Sequence, residues 1–140
     1  MRLVLDTSVI VAAFRSRIGA SNRLLQFAME KRFTLIATPA LFLEYEDALC
    51  RPEQRRVHGI GIRDIELLMR DMADLIEPVE VHFRWRPQLR DPGDEMVLEA
   101  AVNGRADLLV THNRKDFSSV PHNFRLRVVS PAEAIKEILR

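Results

Sequence analysis

The amino-acid sequence predicts an α/β fold, a three-layer α/β/α sandwich around a central, mostly parallel sheet. Three observations lead there. Short apolar runs of strand length alternate along the chain with segments of helical periodicity. Parallel strands need long crossovers, and those crossovers cover the sheet on both faces. A chain of 140 residues, 47% of them apolar and 29% charged, can bury a sizeable core unaided, and no repeat or low-complexity linker divides it, so residues 1–140 read as one domain.

The elements follow in order. Leu3-Val4-Leu5 is a short buried strand that closes on Asp6, with Thr7-Ser8 opening a helix. After Gly19-Ala20-Ser21, the stretch Asn22 to Lys31 carries Leu24, Leu25, Phe27 and Ala28 at helical spacing, and Phe33 to Ala37 is a second strand. Thr38-Pro39 reads as an N-cap and a first-turn proline, opening a helix through Cys50 that Pro52 stops. Arg51 to Gly61 reads as a polar, basic connector. Ile65, Leu68, Met69, Met72 and Ile76 recur at the spacing of an amphipathic helix. Val79, Val81, Phe83 and Trp85 alternate with polar residues up to Pro87, the pattern of an edge strand. Asp91-Pro92-Gly93 is a turn, Asp94 starts a helix that Gly104 caps, and Leu108 to Val110 is a strand ending in Thr111. Leu126 to Val129 is the last strand, and Ser130 to Glu133 is a capping box for the terminal helix.

Composition narrows the classes further. No apolar run approaches the 18 or so residues of a membrane span, and the start of the chain lacks a secretory leader, so the expected location is the reducing cytoplasm. The single Cys50 cannot form an internal bridge. Twenty-one basic against 20 acidic residues leave a net charge of +1, too little to draw in a polyanion by overall field. The basic side is 18 arginines to three lysines; guanidinium is the better bidentate phosphate partner, and arginine-favouring codons explain the bias equally well.

In open parallel sheets ligands bind outside the carboxyl ends of the strands, and acids fall there. Asp6 follows the first strand, Asp91 and Asp94 open a helix, and Asn113 and Asp116 follow Thr111. On the helix from Pro39, Glu44 and Glu46 flank the apolar arc of Leu41, Tyr45, Ala48 and Leu49, and the helical wheel does not choose between them. Each acid also has a plain reading: Asp6 and Asp94 as helix caps, Glu44 and Asp116 as solvated surface charge. Their joint placement is what those readings leave unexplained. Carboxylates gathered at one sheet edge repel unless protonated or neutralised, and an oxygen-only donor set suits Mg²⁺ or Mn²⁺, no His or Cys pair having zinc spacing.

Leu3-Val4-Leu5-Asp6-Thr7-Ser8, Glu44-Tyr45 ahead of Arg51-Pro52, Asp91-Pro92-Gly93-Asp94 leading into Leu98-Glu99-Ala100-Ala101, and Ala106 to Thr111 running into Asn113 and Asp116-Phe117 together resemble the ordered signature of PIN-domain ribonucleases. The resemblance spans nearly the whole chain and is greatest to the toxin components of toxin–antitoxin pairs, the VapC-type branch and its near relatives. It implies a PIN-like fold in which Asp6, Glu44 and Asp94, with Asp116 as a fourth acid, hold Mg²⁺ or Mn²⁺ and carry catalysis, supported by Ser8, Thr111 and Asn113. Asn113 departs from the aspartate that many relatives place there. Asp91 is not counted among the ligands.

The resemblance further implies a metal-dependent endoribonuclease leaving 5′-phosphate and 3′-hydroxyl ends, a homodimer, and a small antitoxin protein that blocks the groove. Arg51, Arg55, Arg56, Arg84, Arg86, Arg114 and Lys115 are candidate phosphate contacts, Phe83 and Trp85 candidate stacking platforms, and His112 a surface residue beside the site. Two rivals stand against this reading. A phosphoryl-aspartate enzyme also places an acid after a strand, and a catalytically degenerate PIN-like module would bind RNA or protein without cutting. A dinucleotide-binding fold is excluded, because Asp6-Thr7-Ser8 lacks a glycine-rich turn.

Overall fold

A computed structural model describes residues 1–82, 89, 91–118, 120 and 125–140. Five parallel strands form one sheet in the order β3-β2-β1-β4-β5. These are β1 (Arg2–Leu5), β2 (Thr34–Ala37), β3 (Ile76–Pro78), β4 (Leu108–Val110) and β5 (Arg127–Val129). The helices are α1 (Thr7–Arg15), α2 (Ala20–Met29), α3 (Pro39–Cys50), α4 (Pro52–His58), α5 (Ile62–Leu75), α6 (Pro92–Asn103) and α7 (Pro131–Ile138), with a 3₁₀ turn at Arg114–Phe117.

Strand order follows from burial. β1 and β4 are central and apolar, Leu3, Val4, Leu5, Leu108, Leu109 and Val110 being almost fully buried, as strands covered on both faces must be. The chain runs outward from β1 to β2 to β3 and then returns to the far side of β1. Right-handed crossovers put the outward helices on one face, and the reversal puts α6 on the other; accordingly α6 packs across β1, β2 and β4, while α1 packs on α2 and α3, and α2 on α7. The reversal leaves a crevice at the carboxyl ends of β1 and β4, where Leu5 pairs with Val110.

Two local expectations are corrected. The basic stretch after Arg51 is helical, with Pro52 at the first turn of α4 and Gly59 at φ 71° closing it. The strand expected over Val79 to Trp85 instead lies at Ile76–Pro78: Pro78 bars the α conformation from Glu77, so the amphipathic helix stops at Leu75 and the chain pairs with β2 at the sheet edge, where proline is tolerated. Val79 to His82 are outside any strand, and Phe83, Arg84, Trp85 and Arg86 lie outside the described residues. Gly104 caps α6 as its sequence position predicts, at φ −85°. It is glycine because of close approach, since an added Cβ would lie 2.5 Å from Ile36 Cδ1 and 2.8 Å from the Ala100 carbonyl oxygen; the positive φ passes to Arg105. No helix among the described residues is long and apolar enough to cross a membrane.

Because the carbonyl at Ala100 cannot move aside, Gly104→Ala should cost about 1–3 kcal/mol, the range for overpacking a core. Urea unfolding of the variant measures this, and a loss below about 0.5 kcal/mol, the size of a neutral surface change, would contradict the steric argument.

Candidate active site

The site begins with Asp6. Its residue occupies the N-cap position of α1, yet the side chain makes no capping hydrogen bond. Instead Thr111 Oγ1 donates to Asp6 Oδ2 at 2.7 Å and Ser8 Oγ donates to the same oxygen at 2.8 Å. The Asp6 amide donates to the Val110 carbonyl, so β1 and β4 remain in register up to the carboxylate. Asp6 is 6% exposed and Thr111 is fully buried. Asn113 N–H donates to Thr111 Oγ1 at 3.0 Å, which turns the chain after β4 into the 3₁₀ turn carrying Asp116.

Asp94 arrives from α6. The cap of that helix is Asp91, whose Oδ1 accepts from Gly93 N–H at 2.7 Å, with Pro92 at the first helical position. Asp94 is therefore released from the capping role its sequence context allowed. Its carboxyl is pushed up to about 6, first by loss of solvation and then by the negative charges of Asp6, Asp91, Asp116 and Glu95. Loss of solvation is the larger cause, and the charges that add to it come from three chain segments. Beside them Glu95 is buried and accepts from the Leu89 amide, a contact no sequence pattern announced.

Glu44 is held differently. It stands on α3, which packs against both α1 and α6, but its Oε1 accepts from Arg51 Nη2 at 3.0 Å and it is not among the charges that raise Asp94. Glu46 faces the groove shared by Glu66, Met69 and Arg70 of α5, which resolves the ambiguity of the helical wheel: of the two flanking glutamates, Glu46 is turned to α5. The neighbouring Tyr45, fully buried, donates its hydroxyl to the Leu5 carbonyl and so ties α3 to β1 one residue before Asp6. Burial and the nearby Asp6 charge both push the Tyr45 hydroxyl upward, which keeps it a neutral donor. The sole tyrosine inside an apolar arc was the signal for this anchor.

Asp116 and Asn113 are exposed at the rim. Of the expected phosphate contacts there, Arg114 pairs with Glu133 at 2.9 Å, Arg51 is engaged by Glu44 and Asp47, and Arg56 and Lys115 are exposed. Arg55 is partly buried, and its Nε has no hydrogen-bond partner among the described residues.

The donor set is all oxygen and collectively negative, which fits a hard divalent cation. Among the described residues no three acid, histidine or cysteine side chains stand close enough to hold one ion directly. Mg²⁺ does not require that, since it is usually held by one or two carboxylates and keeps several waters.

The raised carboxyl of Asp94 has a stability consequence. Its folded value of about 6 exceeds the ordinary 3.8, so the folded state binds more protons between those values and stability of the metal-free chain falls as pH rises from about 4 to about 6. The shift bounds the loss at about 3 kcal/mol, and solvent screening of this partly exposed group reduces it to about 1 kcal/mol. Asp94→Asn should remove that pH slope and raise the melting temperature at pH 7 by about 3 °C; thermal scans from pH 4 to 7 without metal would refute the clustering if the slope were unchanged.

Comparison with known proteins agrees with this architecture. Residues 2–115 match the family model described as a PIN domain. The fold resembles a chain in the crystal structure of VapBC2 from Rickettsia felis bound to a DNA fragment from their promoter, with a TM-score of 0.64 and 16% identity over 93% of this chain and 98% of that one. No functionally curated protein sequence matches.

Proposed function

The chain belongs to the PIN-domain family, and from that premise we propose that it is a metal-dependent endoribonuclease, the toxin of a toxin–antitoxin pair. The observation that supports the reading is Asp6 at the end of β1, held by Thr111 of β4 and Ser8 of α1, with Asp94 of α6 near enough to feel the charges of Asp6 and Asp116. On this reading Asp6, Glu44, Asp94 and Asp116 are the metal-holding and catalytic acids, with Ser8, Thr111 and Asn113 in support. Bound Mg²⁺ or Mn²⁺ would supply Lewis-acid polarisation of the scissile phosphate and activation of water.

The chain's own residues do the rest. Ser8 and Thr111 hold the Asp6 carboxylate in one orientation by two hydroxyl donors on a single oxygen, leaving its other oxygen for the crevice. Asp94 stands partly desolvated at the mouth, a poor place for an uncompensated charge and a good one for a cation ligand. Glu44 enters by exchanging its pair with Arg51, whose flexible side chain would then be released toward a phosphate. The VapBC2 likeness supports an antitoxin protein as partner, and the homodimer implied by the family resemblance is part of the same proposal, as is a cytoplasmic location.

Incubation of purified protein with single-stranded RNA tests it. Cleavage should appear with Mn²⁺ or Mg²⁺, vanish with EDTA, and fall by on the order of 100-fold or more in Asp6→Asn and in Asp94→Asn, the scale of a lost electrostatic contribution. RNA retained equally with and without Mn²⁺ and left uncut would instead identify a binding module. Full activity in the Asp6→Asn, Asp94→Asn double variant would overturn the site.

A further inference from the structure

His112 sits between Thr111 and Asn113 in the loop that ends on Asp116. Its ring Nε2 lies 2.8 Å from Ser21 Oγ, and its backbone N–H reaches Ser8 Oγ at 3.4 Å. Ser21 belongs to the first turn of α2 and is 4% exposed, and its hydroxyl has no other hydrogen-bond partner among the described residues. A buried hydroxyl deprived of its partner is costly, about 1–3 kcal/mol, so the pair resists opening although the imidazole lies at the surface. α2 is itself fastened to α1 by Asn22 Nδ2 donating to the Ala13 carbonyl at 2.8 Å.

From these contacts we propose that His112 is a positioning residue, which acts through Asn113 and Asp116 by pinning their loop to α2 at Ser21. The idea rests on the nuclease reading of the acid site, to which it adds a specific mechanical part. Thr111 and Asn113 are held by hydrogen bonds within the strand end and loop, the far end is seated by buried Phe117 and the Arg114–Glu133 pair to α7, and His112 supplies the side-chain tie to α2. Asp116, four residues on and exposed, has no hydrogen bond from its own side chain to hold it among the described residues; its place, within reach of the Asp94 charge, is set by the two fastenings that flank it, His112 on one side and buried Phe117 on the other.

The test uses the purified full chain and compares wild type with His112→Ala, His112→Gln, Ser21→Ala and the double alanine variant. Two quantities are read: amide hydrogen exchange at residues 113–116, and Mn²⁺ affinity by titration. Each alanine variant should speed exchange in the loop five- to ten-fold, about one hydrogen bond's worth, and weaken Mn²⁺ binding about ten-fold, the lower end for a group orienting a ligand. The glutamine variant, whose amide nitrogen reaches about as far as imidazole Nε2, should restore both. The double variant should be no worse than either single one, as for two ends of one contact. RNA cleavage should lose kcat with KM unchanged. Additive losses, failure of glutamine to rescue, or unchanged Mn²⁺ affinity beside faster exchange would overturn the proposal. If wild type neither bound Mn²⁺ nor cut RNA, the nuclease reading would fail, and loop exchange would still decide the fastening: no change in both alanine variants would overturn it.

Discussion

The hydrogen bonds that converge on Asp6 Oδ2 are the constraint on which the rest of the site depends. A carboxylate 6% exposed at the end of a central strand is expensive unless its oxygens are occupied. Thr111 at the end of β4 and Ser8 in the first turn of α1 occupy one of them. The same oxygen therefore fixes the register of two neighbouring strand ends and the direction in which α1 departs. Everything that follows β4, including the loop carrying Asp116, is measured from that point.

Topology makes this possible. Because the chain goes outward through β2 and β3 before returning to β4, β1 and β4 are neighbours whose following segments diverge, and the gap between them is where a ligand can enter. Helix α6 crosses the sheet from the other side of the chain reversal and delivers Asp94 to the same gap, with Asp91 satisfying the helix terminus. Had Asp94 served as the cap, its carboxylate would have been spent on backbone amides. Asp91 thus takes the cap and Asp94, three residues on, is left partly desolvated near other acids, which appears as its elevated carboxyl.

Helix α3 shows a different balance. Tyr45 anchors it to β1, while Glu44, one residue away, is neutralised by Arg51. An acid already paired adds less repulsion to the crevice, so the metal-free fold carries fewer uncompensated charges than the acid count suggests. Arg51 is also the hinge residue between α3 and α4, which links the pairing of Glu44 to the path of the basic α4.

Much was legible in the linear pattern. Apolar runs of strand length, proline and hydroxyl caps, and acids placed just after strands are local properties, and local properties survive in a sequence because each reports its own energetic preference. They set the fold class, the positions of β1, β2 and β4, and the candidacy of Asp6, Asp94 and Asp116. Ile76 departs from its helical periodicity because Pro78, two residues on, imposes the opposite conformation. What only the tertiary structure decided is how each side chain spends its charge: Asp91 and not Asp94 caps α6, Glu46 turns to α5, Gly104 is small because Ile36 and Ala100 approach it, and Ser21 meets His112 across 91 residues. Such choices depend on which groups are brought close after the sheet has assembled, and pairwise electrostatics and sterics between distant segments leave no periodic trace in the chain that encodes them.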